Sequence, residues 1–453
     1  MAHATPSSPG SGEKLYRTLW RWHFYAGIIF APLLILLAVT GAIYLFKAEY
    51  EEAVYHSYYH VVSSANPLPA ARQLEMIQSQ YPSATISKFK PAQQVSRSSE
   101  FTISTPDGTK IVFLNPYTGD VLGELDENSK LMNIVKKLHS GTIAGPAGNW
   151  MIELAACWAV ILIVTGLYLW WPRGQRRSVF GTLLPRLSQG RRIFWRDLHA
   201  VPAFWLSGAV LILVFTGLPW SAVWGEGLNR IAAATNTGSP PALYGAKPKS
   251  TVPTRDIAPE VPWAAELMPV TESVKASASP RLPLDQVMQI ANEQNVRDPY
   301  VITFPKGETG IYVVTAVPVR PENQVTLHID QYNGKILSNL RFADYGATAK
   351  VISVGVALHE GRYFGLTNQI VGLIACIGMA GIAFSGVLMW WRRRPAGKLG
   401  APSRTPNAKL MKGTAALVIA FGLFLPLAGV SILIFLLLDR LVIRFLPTYS
   451  HSA

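Results

Sequence analysis

One stretch of this sequence is written twice, and that repetition constrains the fold more than any other feature. Residues 138–173 read LHSGTIAGPAGNWMIELAACWAVILIVTGLYLWWPR, and residues 358–393 read LHEGRYFGLTNQIVGLIACIGMAGIAFSGVLMWWRR, in gapless register. In both, a His-x-Gly leads into an apolar run. Thr165-Gly166 and Ser385-Gly386 follow the His by 26 residues, and Trp170-Trp171 and Trp390-Trp391 follow it by 31. A second repeated unit precedes each copy. His23 opens an apolar run that reaches Thr40-Gly41 after 17 residues, and His199 opens one that reaches Thr216-Gly217 at the same interval. The chain reads as a doubled half, each built as His-helix, long polar segment, His-helix, and duplications of this kind dictate architecture.

Hydrophobic residues make up 49% of the 453-residue chain and charged ones only 15%, too apolar for an ordinary soluble domain. The apolar residues lie in blocks. Uncharged runs of 18 residues or more occur at 24–46, 154–171, 200–224, 363–391 and 413–438, and about 20 helical residues cross a hydrocarbon core. The predicted fold class is a membrane protein: an all-α transmembrane bundle of five helices built from an internal duplication. The spans are expected at 14–46, 149–172, 195–224, 363–391 and 413–438.

The net charge of +14 is a topology signal. Residues 171–196 hold seven Arg and no acid, and residues 392–412 hold seven Lys and Arg and no acid, so these two short loops account for the whole excess. The long segments are balanced, with 9 basic against 10 acidic residues over 47–149 and 13 against 13 over 225–362. Positive charge concentrates on the cytoplasmic side. The basic loops 173–194 and 392–412 are therefore expected inside and the segments 47–148 and 225–362 outside. That reading excludes nucleic acid as a partner. The Ser, Pro and Gly-rich residues 1–13 form a disordered cytoplasmic tail, and span one reads as an uncleaved anchor because its apolar run is too long for a signal peptide. Span five has no counterpart in the repeat, and an odd span count sends the tail 439–453 outside. Cys157 and Cys376 both fall inside spans, so no disulfide framework is expected; without a Cys-x-x-Cys-His, neither is a c-type haem.

Each long segment reads as a small α+β module. In the first, LPAARQLEMIQSQYP has helical spacing, and EFTISTPDGTKIVFLNPYTGDVLGEL alternates like strands around two turn signals. In the second, LPLDQVMQIANEQN is the helix, and TGIYVVTAVPV and NQVTLHIDQYNGKIL are the strands, with Asp330 to Gly334 standing where Asn115 to Gly119 stood. Residues 236–280 form a linker or a lid over the second module.

Four of the nine histidines form equivalent pairs near span ends: His23 with His199 toward the cytoplasmic face, His139 with His359 toward the outer face. Facing imidazoles at membrane depth can bind a haem iron from both sides. The glycines of the Thr/Ser-Gly pairs would allow close approach to a flat macrocycle. Arg21 and Arg196 could meet haem propionates, although positive-inside charge explains them equally. His56-x-x-x-His60 has metal spacing but sits among Tyr55, Tyr58 and Tyr59, which favours an interfacial stretch; Glu153 reads as a cap-region charge in preference to a proton carrier. No Gly-rich nucleotide loop, Ser-His-Asp arrangement or His-Glu-x-x-His is present.

These residues resemble the PepSY-associated transmembrane proteins, iron-regulated inner-membrane proteins that include periplasmic ferrisiderophore reductases of the FoxB type. The resemblance rests on Leu-Trp-Arg-Trp-His23, Leu138-His139, Leu358-His359, the Gly-x-x-x-Trp-Trp ends at Gly166 and Gly386, and the two PepSY-like modules. It implies a haem-carrying bundle with periplasmic PepSY modules in the bacterial inner membrane. Two b-type haems would be ligated by His23, His199, His139 and His359. The implied activity is oxidoreductase chemistry, electron transfer across the membrane to a ferric siderophore and release of iron as Fe(II). Quinol or a separate cytoplasmic reductase would donate the electrons. The competing expectations are a PepSY-type regulatory or binding membrane protein, and a haem or siderophore transport component.

Overall fold

The computed structural model describes residues 11–64, 66–172, 179–238, 250–258, 260–274, 280–396, 400 and 412–445. Most of the expected disordered tail, parts of both basic loops, part of the 236–280 linker and the last eight residues lie outside the described residues.

The chain opens with α1 (Ser11–Tyr44), then two short helices, α2 (Lys47–Val54) and α3 (His56–Tyr59). Next come α4 (Ala70–Gln80), β1 (Thr85–Lys90), β2 (Ser99–Thr105), β3 (Gly108–Leu114), β4 (Val121–Asp126) and α5 (Leu131–His139). The middle of the chain is α6 (Gly145–Trp170), α7 (Arg191–Gly217) and α8 (Val223–Ala234). Two single turns, α9 (Thr254–Ile257) and α10 (Trp263–Glu266), precede α11 (Leu284–Glu293) and the strands β5 (Tyr300–Thr303), β6 (Ile311–Ala316), β7 (Val325–Asp330) and β8 (Ile336–Arg341). The chain closes with α12 (Ala347–His359), α13 (Leu366–Arg393), α14 (Lys412–Phe424) and α15 (Pro426–Phe445). These elements form two compact units. One is helical, Met1–Ile43 with Lys137–Gly227 and Ile370–Ala453; the other, Tyr44–Lys136 with Leu228–Gln369, holds the sheet.

In the helical unit, Gly12–Tyr44, Thr142–Trp170, Arg191–Trp220 and Leu366–Arg393 are long and apolar enough to cross a membrane, at 28 to 33 residues each. At about 1.5 Å per residue each exceeds 40 Å, against a hydrocarbon core of about 30 Å. The chain is a multi-pass membrane protein. The expected fifth span, 413–438, is corrected: it breaks at Leu425 into α14 and α15. Pro426 lacks an N–H and crowds the residue before it, which ends a helix. The two glycines flanking the break, Gly422 and Gly429, then pass so closely that a Cβ on Gly429 would overlap the Gly422 backbone. The segment is a helical hairpin. It packs onto α6 and α1, where the Trp158 ring stacks on Phe30 at 5.5 Å and its indole N–H donates to Ser431 Oγ at 3.0 Å. Leu425, Ala428 and Ile432 join Trp22, Leu34 and Ile161 in that core.

In the second unit the eight strands form one antiparallel sheet, ordered β4-β3-β2-β1-β5-β6-β7-β8. The sequence reads as two separate modules; the structure joins them, because β1 pairs with β5 through Lys88 opposite Thr303 and Phe89 opposite Ile302. One face carries α4 and α11 over Phe89, Phe101, Ile103, Ile302, Val314 and Leu327, all within 1% of full burial. Asp285 of α11 ties the two helices together, its carboxylate accepting the backbone N–H groups of Ala70 and Ala71 at 2.7 and 2.9 Å. That capping satisfies two of the orphan donors at the start of α4. The other face of β6 to β8 lies beneath the segment 252–273, whose Trp263, Ala264, Ala265, Met268 and Val270 pack on Ile311, Val313 and Leu340.

Candidate functional site

His23 sits about three turns inside α1 and His199 about two turns inside α7, well within the helices and not at their first residues. The two rings face one another, with centroids 6.3 Å apart and planes at 88°. His23 Nδ1 lies 2.9 Å from Thr165 Oγ1 on α6. His199 Nδ1 lies 2.9 Å from the Ile382 carbonyl and 3.2 Å from Ser385 Oγ, both on α13. Beside each hydroxyl is the glycine of the repeat. A Cβ on Gly166 would come to 3.1 Å from His23 Cε1, and one on Gly386 to 3.3 Å from His199 Cε1. In the structure the edge of each imidazole lies against its glycine.

A third copy of the arrangement holds His139. Its Nδ1 lies 2.9 Å from Thr40 Oγ1 on α1, and a Cβ on Gly41 would come to 3.3 Å from its Cε1 and 3.5 Å from Cys376 Sγ. His139 ends its own short helix, α5, a few residues before α6 begins. His359 likewise ends α12 and belongs to the sheet-bearing unit, whereas His139 belongs to the helical one.

The His23 and His199 rings fit a shared metal-centred group. An imidazole nitrogen sits about 2 Å from a transition metal, and the ring adds about 1 Å on each side, so two axial imidazoles are separated by about 6 Å between centroids. With both Nδ1 atoms hydrogen-bonded, the Nε2 atoms are the ones left to bind a metal. Among the described residues no group of three or more His, Cys, Asp and Glu could hold a bare ion; an iron porphyrin asks only for the two axial imidazoles.

Several residues weighed from the sequence have other occupations. His60 pairs with Glu52, which also binds Arg97 at 2.7 Å, while the His56 ring stacks on His60 at 4.2 Å. The neighbouring His60 and Arg97 hold the Glu52 carboxyl below its ordinary range. Glu153, 1% exposed, accepts the backbone N–H groups of Val223 and Trp224 at 2.7 and 2.9 Å and so caps α8. Arg21 lies over the Tyr25 ring, and Arg196 binds Asp197. Asp197 escaped the sequence reading. Fully buried two residues before His199, it also accepts the Arg186 backbone N–H and guanidinium at 2.8 to 3.1 Å, pinning the loop to the start of α7. A lone acid closing a stretch with seven Arg was the available signal. The hydroxyl partners of the histidines also escaped it, although the fixed spacings of 17 and 26 residues marked their positions.

No curated protein matches the chain. The model of the family described as the PepSY-associated TM region matches residues 20–393, most of its length, and the chain belongs to that family.

Proposed function

We propose that this protein is a haem-containing membrane reductase that passes electrons across the inner membrane to ferric siderophores, releasing the iron as Fe(II). The observation that carries the reading is the His23 and His199 pair: two imidazoles from different helices, 6.3 Å apart between centroids, each with Nδ1 already bonded. That separation is the one two axial imidazoles take about a shared iron.

In this reading His23 and His199 hold one b-type haem, which would supply one-electron transfer. His139 and His359 hold a second, on the strength of the sequence repeat alone. Thr165, Ser385 and the Leu162 and Ile382 carbonyls fix the ring orientations. The basic loops mark the cytoplasmic side, so the sheet-bearing unit meets the ferric chelate in the periplasm. Electrons come from quinol or from a separate cytoplasmic reductase. Reduction favours release, since hard oxygen donors that grip Fe(III) bind the larger, softer Fe(II) less well.

The test is an absorption spectrum of the full-length protein purified from haem-replete cells. A Soret band with a split α-band is expected, reduced in intensity by His23→Ala and by His199→Ala, and bleached toward the ferric form on addition of a ferric hydroxamate or catecholate. A colourless protein sinks the reading and leaves a PepSY-type binding or regulatory role. A reduced haem that no ferric chelate reoxidises points to transport.

A further inference from the structure

We propose that the Thr and Ser of the repeated Thr/Ser-Gly pairs are positioning residues that decide which imidazole nitrogen meets the metal and how strongly it donates; this rests on the haem reading above. The hydrogen-bond geometry forces the choice. Thr165 Oγ1 has a single proton, which it donates to the Ile161 carbonyl at 2.7 Å. Toward His23 Nδ1, at 2.9 Å, the same oxygen can only accept. Nδ1 therefore carries the hydrogen, and Nε2 keeps its lone pair.

The other two described cases reach the same result by separate routes. Thr40 Oγ1 donates to the Leu36 carbonyl at 2.6 Å and so accepts from His139 Nδ1. His199 Nδ1 faces the Ile382 carbonyl, which has no proton to give, and the Ser385 proton goes to that same carbonyl at 2.9 Å. Three imidazoles held by three different helices thus share one tautomer. The glycine beside each hydroxyl completes the device: a side chain there would press on Cε1 at 3.1 to 3.3 Å and turn the ring away from its acceptor. An imidazole that gives its second N–H to an acceptor is a more basic ligand, and such outer partners carry much of the affinity and electronic tuning of a metal site.

The two ligands of the first pair are held alike: each imidazole meets a hydroxyl and the backbone carbonyl three residues before it, Thr165 and Leu162 for His23, Ser385 and Ile382 for His199. The inference is tested in the full-length haem protein by redox titration, low-spin spectra and haem retention on dilution, read on the component that His199→Ala abolishes. Thr165→Val is expected to raise that midpoint potential and to weaken haem retention by about 10- to 100-fold. Thr165→Ser restores both, and Ser385→Ala, which leaves the Ile382 carbonyl as Thr165→Val leaves that of Leu162, shifts both in the same direction. Wild-type values in Thr165→Val, or damage in Thr165→Ser equal to that in Thr165→Val, would overturn the proposal. If Thr165→Val does not fold, nitrogen-15 histidine spectra of the haem-stripped wild type decide: a proton on Nε2 of His23 refutes it, one on Nδ1 supports it. A colourless wild type fails the haem reading instead, and the tautomer measurement separates the two failures.

Discussion

The two halves of the sheet carry the same turn and differ in what covers them. Asn115 Oδ1 accepts the Tyr117 N–H at 3.0 Å, and Asp330 Oδ1 accepts the Tyr332 N–H at 2.8 Å; each turn ends on a glycine with positive φ, Gly119 at 78° and Gly334 at 71°. Counting back two residues from each turn brings Phe113 of β3 and His328 of β7 to equivalent positions. Phe113 is covered by the Tyr58 and Tyr59 rings at 5.6 and 5.4 Å. His328 is buried under the segment 252–273, with Thr271 Oγ1 3.2 Å from its Nδ1. Every residue of β6 and β7 is buried, whereas β4 has no buried residue. The lesson is that turns and pairing register tolerate little change, because a slip of one residue moves every side chain to the wrong face. The covering layer is free to diverge.

The sharpest test of that contrast is Trp263→Ala, which removes the largest side chain of the cover. A loss of about 3 kcal/mol or more is expected. In hydrogen exchange, amides of β6 and β7 should lose protection while those of β2 and β3 keep it; equal loss in both halves would mean that the cover is not specific to its own strands. A similar asymmetry separates the ends of α1 and α7, since Arg21 precedes His23 at the distance at which Asp197 precedes His199. Asp197→Ala should cost about 2 kcal/mol in thermal unfolding, because it strands the Arg186 backbone N–H and frees two guanidiniums. Arg21→Ala should stay within about 0.5 kcal/mol.

A smaller effect tests His328. Burial lowers its pKa from the ordinary 6.5 to about 4, so the folded ring stays neutral where the unfolded one takes up a proton. Its contribution to stability is complete above pH 6.5 and is lost as the pH falls toward 4. His328→Phe, which copies the equivalent Phe113, should flatten the melting temperature over that window; an unchanged slope would clear His328 of responsibility. In Glu153→Gln, loss of a charged cap on α8 is expected to cost about 1 kcal/mol. If the protein is the reductase proposed above, ferric-chelate turnover should not change. A turnover loss would revive the proton-carrier reading that the two backbone N–H bonds argue against.

Much of this fold was legible in the sequence where the signal is local. The helical spacing of LPAARQLEMIQSQYP becomes α4, LPLDQVMQIANEQN becomes α11, and the alternating runs become β2, β3, β4, β6 and β7. The pairing of β1 with β5 was not legible, because Thr85–Lys90 and Tyr300–Thr303 are short and nothing in them names a partner more than 200 residues away. The fifth span failed for a related reason: a hydropathy count sums over Pro426, and a proline alone does not mark a turn, since α1 and α7 run straight through Pro32 and Pro202. At the candidate site the four histidines stood out by repetition. The hydroxyls that hold three of them read as ordinary small residues of membrane helices, since their role depends on which neighbouring helix they face.

The β1 to β5 seam has a consequence for anyone dividing the gene. Cut between the halves, each fragment would bare a strand edge, β1 in one and β5 in the other, that the seam now pairs through Lys88 opposite Thr303 and Phe89 opposite Ile302, and an exposed edge recruits whatever matching edge it meets. The natural match is the other fragment or a twin of itself. Split expression should therefore yield either mutual complementation or strand-exchanged homodimers, with isolated soluble pieces the rare product.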